Sequence, residues 1–158
     1  MNFFYKTLSF ASIFGFITTV QASHQPPHAK LPNPFTPIGY WRTEDGKAKV
    51  EVRECGEKTV CGKIIALKEP NDPKTNTPKV DPEGKAIMDM EIMKNFKNTQ
   101  GTQWENGEIY DPKEGKTYSA EFTLEESGKV MKLRGYVFIT FLGKTQIWHR
   151  TTKDAPLG

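Results

Sequence analysis

The feature that most constrains this chain is a side-chain period of two. Between Lys116 and Leu124, the residues Tyr118, Ala120, Phe122 and Leu124 fall on one side and Thr117, Ser119, Glu121 and Thr123 on the other. Only an extended strand with one buried face turns such a series into an apolar and a polar surface. Lys47 to Arg53 does the same, setting Ala48, Val50 and Val52 against Lys49, Glu51 and Arg53, just after an Asp45-Gly46 turn. Further runs occupy Gly39 to Thr43, Val60 to Leu67, Trp104 to Tyr110, Lys129 to Val137 and Thr145 to Thr151. They are divided by Asp111-Pro112…Gly115, Ser127-Gly128 and Gly143. Ala86 to Phe96 reads both ways: Met88, Met90 and Ile92 alternate, whereas Asp89, Ile92, Met93 and Phe96 recur at helical spacing. We read it as a strand passing into a short helical turn.

About eight short strands and no long amphipathic helix make an all-β domain. Every connection is short except a polar insert from Lys68 to Lys85, which carries Pro70, Pro73, Pro78 and Pro82. Sequential strands therefore pair as an antiparallel meander. Eight strands closed on themselves have no exposed edge and enclose either packed side chains or one small ligand. An eight-stranded antiparallel up-and-down barrel over residues 38–152 is the expected architecture, with a two-sheet sandwich as the alternative.

The ends of the chain read differently. One cation, Lys6, precedes an uncharged run from Thr7 to Val20, and Val20 and Ala22 stand at the small-residue positions of a cleavage site. Residues 1–22 are expected to be a signal peptide, shorter in its apolar part than the roughly 20 residues of a membrane-spanning helix. With no Cys directly after Ala22, a lipid anchor at that point is not expected. Residues 23–37 form a Pro-rich arm and residues 153–158 a tail. His24 and His28 in the arm are four apart, but their neighbouring prolines oppose the helix that would bring them together on a metal. Export to the periplasm or the medium favours oxidised thiols. Cys55 and Cys61, with five residues between them including Gly56, are then expected to bridge a tight turn.

Charge excludes one class of partner. The chain carries 22 Lys and Arg against 19 Asp and Glu, interspersed throughout. No basic stripe of the kind that grips a phosphate backbone results, so nucleic acid is not expected as a partner.

Gly39-Tyr40-Trp41 fits the G-x-W signature on the first strand of lipocalins and their relatives, and Trp148-His149-Arg150 closes the last strand. More specific are Gly107-x-Ile109-Tyr110-Asp111-Pro112, Gly115-Lys116-Thr117-Tyr118, Leu133-Arg134-Gly135-Tyr136 and Gly143-Lys144-Thr145-Gln146-x-Trp148-x-Arg150, with Cys55 to Gly62. On these motifs, over roughly Ile38 to Thr151, the chain resembles a family of small exported bacterial proteins of uncharacterised function with a lipocalin-like barrel. The resemblance implies that Trp41 plugs one end of the barrel, with Gly39 beside it and Arg150 across the indole as a cation–π partner. It also implies a cup for a small, partly apolar molecule, and brings no reaction with it. Glu105 and Glu108 depart from that pattern, standing where small or apolar residues are expected.

Catalytic chemistry finds little to work with. Gly115-Lys116-Thr117 and Gly143-Lys144-Thr145 look like the ends of phosphate-binding loops, but the first glycine of that motif would fall at Tyr110 or Phe138 and no helix follows. Both cysteines are committed to a bridge, and His149 is the single histidine of the barrel region. Glu44, Asp45, Glu105, Glu108 and Asp111 could meet at one rim, which keeps a carboxylate-dependent hydrolase as a third reading. No zinc or calcium ligand spacing appears, and no cofactor is expected. The aromatic set Trp41, Trp104, Tyr110, Tyr118, Tyr136 and Trp148, with Arg134, suits a pocket with apolar walls and a few orienting donors. Strand alternation places Lys132, Arg134 and Tyr136 outward, leaving Arg134 either a solvated cation or, if turned inward, an anion anchor. The leading reading is a non-enzymatic carrier of a small hydrophobic or amphipathic molecule. The alternative is a protein-binding module, such as an inhibitor of an extracytoplasmic enzyme, acting through the 68–85 insert or the arm.

Overall fold

The computed structural model describes residues 35–137 and 143–158. The expected signal peptide and nearly all of the Pro-rich arm lie outside the described residues. The strands are β1 (Gly39–Arg42), β2 (Ala48–Gly56), β3 (Thr59–Leu67), β4 (Glu91–Gln100), β5 (Gln103–Asp111), β6 (Lys116–Glu125), β7 (Val130–Tyr136) and β8 (Gly143–Thr151). They pair in sequence order, all antiparallel, and β8 returns to β1, with Trp41 opposite Arg150, to close a barrel. The sandwich alternative is thereby set aside. Closure needs strands that coil, and the ladders bend at bulges between Lys49 and Val50, between Glu54 and Gly56, and along β4.

Two expectations are corrected, one by a bulge and one by the chain's tail. Residues 86–96 hold no helical turn: β4 runs on to Gln100, and Ile92, Met93 and Phe96 are all buried. Asn95 takes φ +61, so the strand slips register there and mimics helical spacing. The helical turn is instead a 3-10 turn at Glu126–Gly128. Lys49, expected on the solvent face, is only 4% exposed. Its ammonium is capped by the carbonyls of Lys153 and Ala155 at 2.6 and 2.5 Å, so the 153–158 tail lies across the outside of β2. Glu105 and Glu108 also find their reason in register. They stand opposite Lys97 and Lys94 across the β4–β5 ladder, where opposite charges attract.

One end of the barrel is solid. Trp41, Val50, Val52, Val60, Met93, Phe96, Phe122 and Met131 are at most 2% exposed and pack as one cluster. Phe122 contacts Phe96 at 5.1 Å between ring centroids and stacks on Trp104 at 5.8 Å. Gly107 makes this possible, because a Cβ there would overlap the Phe96 ring. The Cys55–Cys61 disulfide, Cα atoms 5.7 Å apart, ties the β2–β3 hairpin at this same end.

Candidate functional site

The solid end is built around Trp41. Its indole N–H donates to the Pro37 carbonyl at 2.7 Å, and the Arg150 guanidinium lies 4.3 Å from the ring centroid. Arg150 then donates to the carbonyls of Gly128, Ile38 and Thr36 at 2.5, 2.9 and 2.6 Å, binding the entry segment to the β6–β7 turn. Burial pushes its guanidinium below the usual arginine range, toward a loss those three carbonyls and the indole face offset. Gly39 is required here: it holds φ +132, and a Cβ would meet Arg150 Nη1 at 2.9 Å.

The opposite end is hollow. A cavity of about 590 Å³ has Ile92, Ile109, Leu133 and Trp148 in its walls, and its mouth lies between the β5–β6 turn (Asp111, Pro112, Glu114) and the facing ends of β7 and β8 (Tyr136, Val137, Gly143, Lys144). The inward side chains alternate along each strand, so small Gly135 in β7 leaves room where a larger residue would fill the lumen. A Cβ at that position would already stand 3.2 Å from Ile109. Gln146, two residues before Trp148 on the same face, accepts the indole N–H of Trp148 at 2.8 Å and turns its amide group to the cavity wall.

The mouth is polar and internally paired. Tyr110 donates to Asp81 Oδ2 at 2.6 Å, and Tyr118 donates to Glu114 Oε2 at 2.6 Å. Asp81, 4% exposed, also accepts from the amides of Glu83 and Lys85. The Tyr110 hydroxyl, first, and those amides hold its carboxyl below the usual carboxylate range. The same bond pushes the Tyr110 phenol up to about 12, and the bond to Glu114 pushes Tyr118 up as well. Through Asp81 the long insert is latched to the cavity wall. The insert is itself ordered by the Asn71–Pro78 and Val80–Ala86 bridges and by Asp72, whose carboxylate caps the Lys74 and Thr75 amides.

Of the residues singled out in the sequence, the fold brings Tyr110, Tyr118, Tyr136 and Trp148 together around this cavity. Trp41 lies in the floor of the barrel and Trp104 stacks on Phe122, away from the cavity; the Trp104 indole N–H is buried with no partner among the described residues. Arg134 donates to Thr145 across the β7–β8 ladder and does not line the lumen. Tyr136, assigned outward with it, sits where β7 ends and joins the rim. The sequence reading did not assign Glu114, Lys144 or Gln146 to the pocket, although Lys144 and Gln146 stand in the Gly143-Lys144-Thr145-Gln146 motif. Gln146 shares the Trp148 face and was readable from strand alternation, whereas Glu114 lies in the β5–β6 turn, where alternation does not apply. Among the described residues no three His, Cys, Asp or Glu side chains converge as metal ligands. No helix among them is long and apolar enough to cross a membrane.

The comparisons with known proteins agree with this geometry. Residues 39–150 match the model of a family described as an uncharacterised protein conserved in bacteria, DUF2147. No curated protein matches. Among solved structures, protein HP1028 from Helicobacter pylori, described as belonging to the lipocalin family, superposes with a TM-score of 0.59 at 15% identity, over 75% of this chain and 85% of that one. At that identity the likeness speaks for the fold alone, a closed eight-stranded lipocalin-like barrel. With the family model spanning β1 to β8, the chain belongs to the DUF2147 family of bacterial proteins.

Proposed function

We propose that this protein is an exported carrier that holds one small hydrophobic or amphipathic molecule in the open half of its barrel. The observation that carries the reading is the cavity of about 590 Å³, within the ~300–1,000 Å³ of typical ligand sites, with an apolar interior and a few polar groups at the rim. In this reading Tyr110, Tyr118, Tyr136 and Trp148 form the ligand wall, and Trp41, Trp104 and Arg134 serve the barrel frame. This reading assigns no turnover to the mouth carboxylates, of which Asp81 and Glu114 accept from tyrosines and Asp111 from backbone amides. Export is supported by the disulfide and by the uncharged Thr7 to Val20 run.

Uptake of a neutral fluorescent apolar probe, with native mass spectrometry of protein purified from its own host, tests this. The wild type is expected to bind one probe per chain and lose it to a natural ligand. Gly135→Leu, which pushes a side chain into the lumen, is expected to abolish uptake while the far-ultraviolet circular dichroism of the barrel persists. A wild-type protein that takes up no apolar probe overturns the reading.

A further inference from the structure

The chemistry of the mouth narrows the ligand class. Among the described lining residues, Asp111 and Glu114 bring two negative charges and Lys144 one positive. Behind Tyr110 the insert adds Asp81, with the Glu83–Lys85 ion pair beside it, and the exposed Lys116 ammonium stands 4.0 Å from Glu114. Residues 138–142, outside the described residues, are uncharged in sequence and leave that balance as it stands. Lys144 is exposed, on a long flexible stem that keeps its ammonium hydrated.

The hydrogen-bonding groups lean the same way. An anionic head group needs donors, and two of the three mouth tyrosines, Tyr110 and Tyr118, spend their hydroxyls on carboxylates at 2.6 Å, which leaves the neutral donors of Tyr136 and the Gln146 amide. What Tyr110 and Tyr118 still offer is ring face, made more electron-rich by the charged acceptor each hydroxyl serves. Glu114 keeps a second oxygen, and Asp111 uses only one of its two on the Lys113 and Glu114 amides. Aromatic faces with carboxylates at the entrance to an apolar pocket are the surroundings in which an organic ammonium gains cation–π and Coulomb attraction while water is excluded.

We infer that the ligand is an amphipathic cation, its apolar part among Ile92, Ile109, Leu133 and Trp148 and its ammonium head at Tyr110, Tyr118 and Glu114. The inference rests on the carrier reading above and names its ligand class. Displacement of the neutral probe by three additives of equal chain length tests it at low ionic strength and below micelle formation: dodecyltrimethylammonium, dodecanol and dodecanoate. The ammonium is expected to bind at least about fivefold more tightly than the alcohol, and the carboxylate more weakly than either. Glu114→Gln is expected to cut the ammonium preference about threefold or more with alcohol affinity retained, whereas Glu105→Gln on the outer face changes neither. Added salt should shrink the preference. If probe and alcohol bind but the carboxylate equals or exceeds the ammonium, or Glu114→Gln leaves the preference intact, the head-group assignment falls and the carrier reading stands. If the probe itself is not taken up, both fall.

Discussion

Arg150 shows how much of the closed end depends on one side chain. Its planar fork serves three carbonyls from two separate segments while its face covers Trp41. Arg150→Ala is expected to lower stability by about 2–4 kcal/mol in urea titration, and Arg150→Lys to recover only a minor part, because an ammonium cannot reproduce the fork. The Tyr110–Asp81 pair is legible in titration. Tyr110, raised from 10.0 to about 12, favours the fold fully below pH 10 and loses that contribution as pH climbs toward 12. Asp81, lowered from 3.8, contributes above that pH and loses its contribution as acid protonates the folded carboxyl. In Asp81→Asn the highest tyrosine ionisation, followed by phenolate absorbance, is expected to move down toward 10. An unchanged upper ionisation would show that the carboxylate is not its cause.

Two elements carry a covalent or polar tie whose contribution can be measured. The Cys55–Cys61 bridge closes a short loop in the β2–β3 hairpin, so its entropic effect is small. Reduction, or the Cys55→Ser and Cys61→Ser pair, is expected to cost no more than about 2 kcal/mol and to leave the barrel's circular dichroism intact. The 153–158 tail is held where Lys49 donates to Lys153 and Ala155 and Lys68 donates to Gly158. Truncation after Thr152 is expected to cost about 1–2 kcal/mol. Combined with Lys49→Met, the loss should be less than the sum of the two, since both remove the same contact; a strictly additive double variant would show that the tail is held by something else.

At the scale of the molecule, closure of β8 on β1 joins residues such as Tyr40 and Thr151 from opposite ends of the described chain. No strand is an edge, and the outward faces of β4 and β5 carry Lys94, Lys97, Glu105 and Glu108 rather than the apolar band of a lipid-facing barrel. Non-local pairing of this kind is slow to form, on the order of milliseconds to seconds. Trp41 and Trp148 are both buried, one in the floor and one in the cavity wall. Tryptophan fluorescence and circular dichroism are therefore expected to report one coincident unfolding transition. Two separated transitions would mean that the filled and hollow halves unfold independently.

Strand number, strand order and turn positions were readable from the chain because they follow from local rules: alternation decides which side chains share a face, and Gly, Pro, Asp and Asn decide where the backbone can reverse. The pairing of Cys55 with Cys61 was readable for the same reason, six residues being a hairpin's reach. The slip at Asn95 and the burial of Lys49 were not, because a bulge and a covering tail arise only when partners are in place. Nor could alternation tell that Phe96, Phe122 and Trp104 fill one end while Gly135 leaves the other open. An inward face is a one-dimensional property, but whether facing side chains meet or leave space depends on the volumes of residues brought together from eight strands. The same holds for Tyr110 and Asp81, 29 residues apart, whose contact decides the chemistry of the cavity mouth.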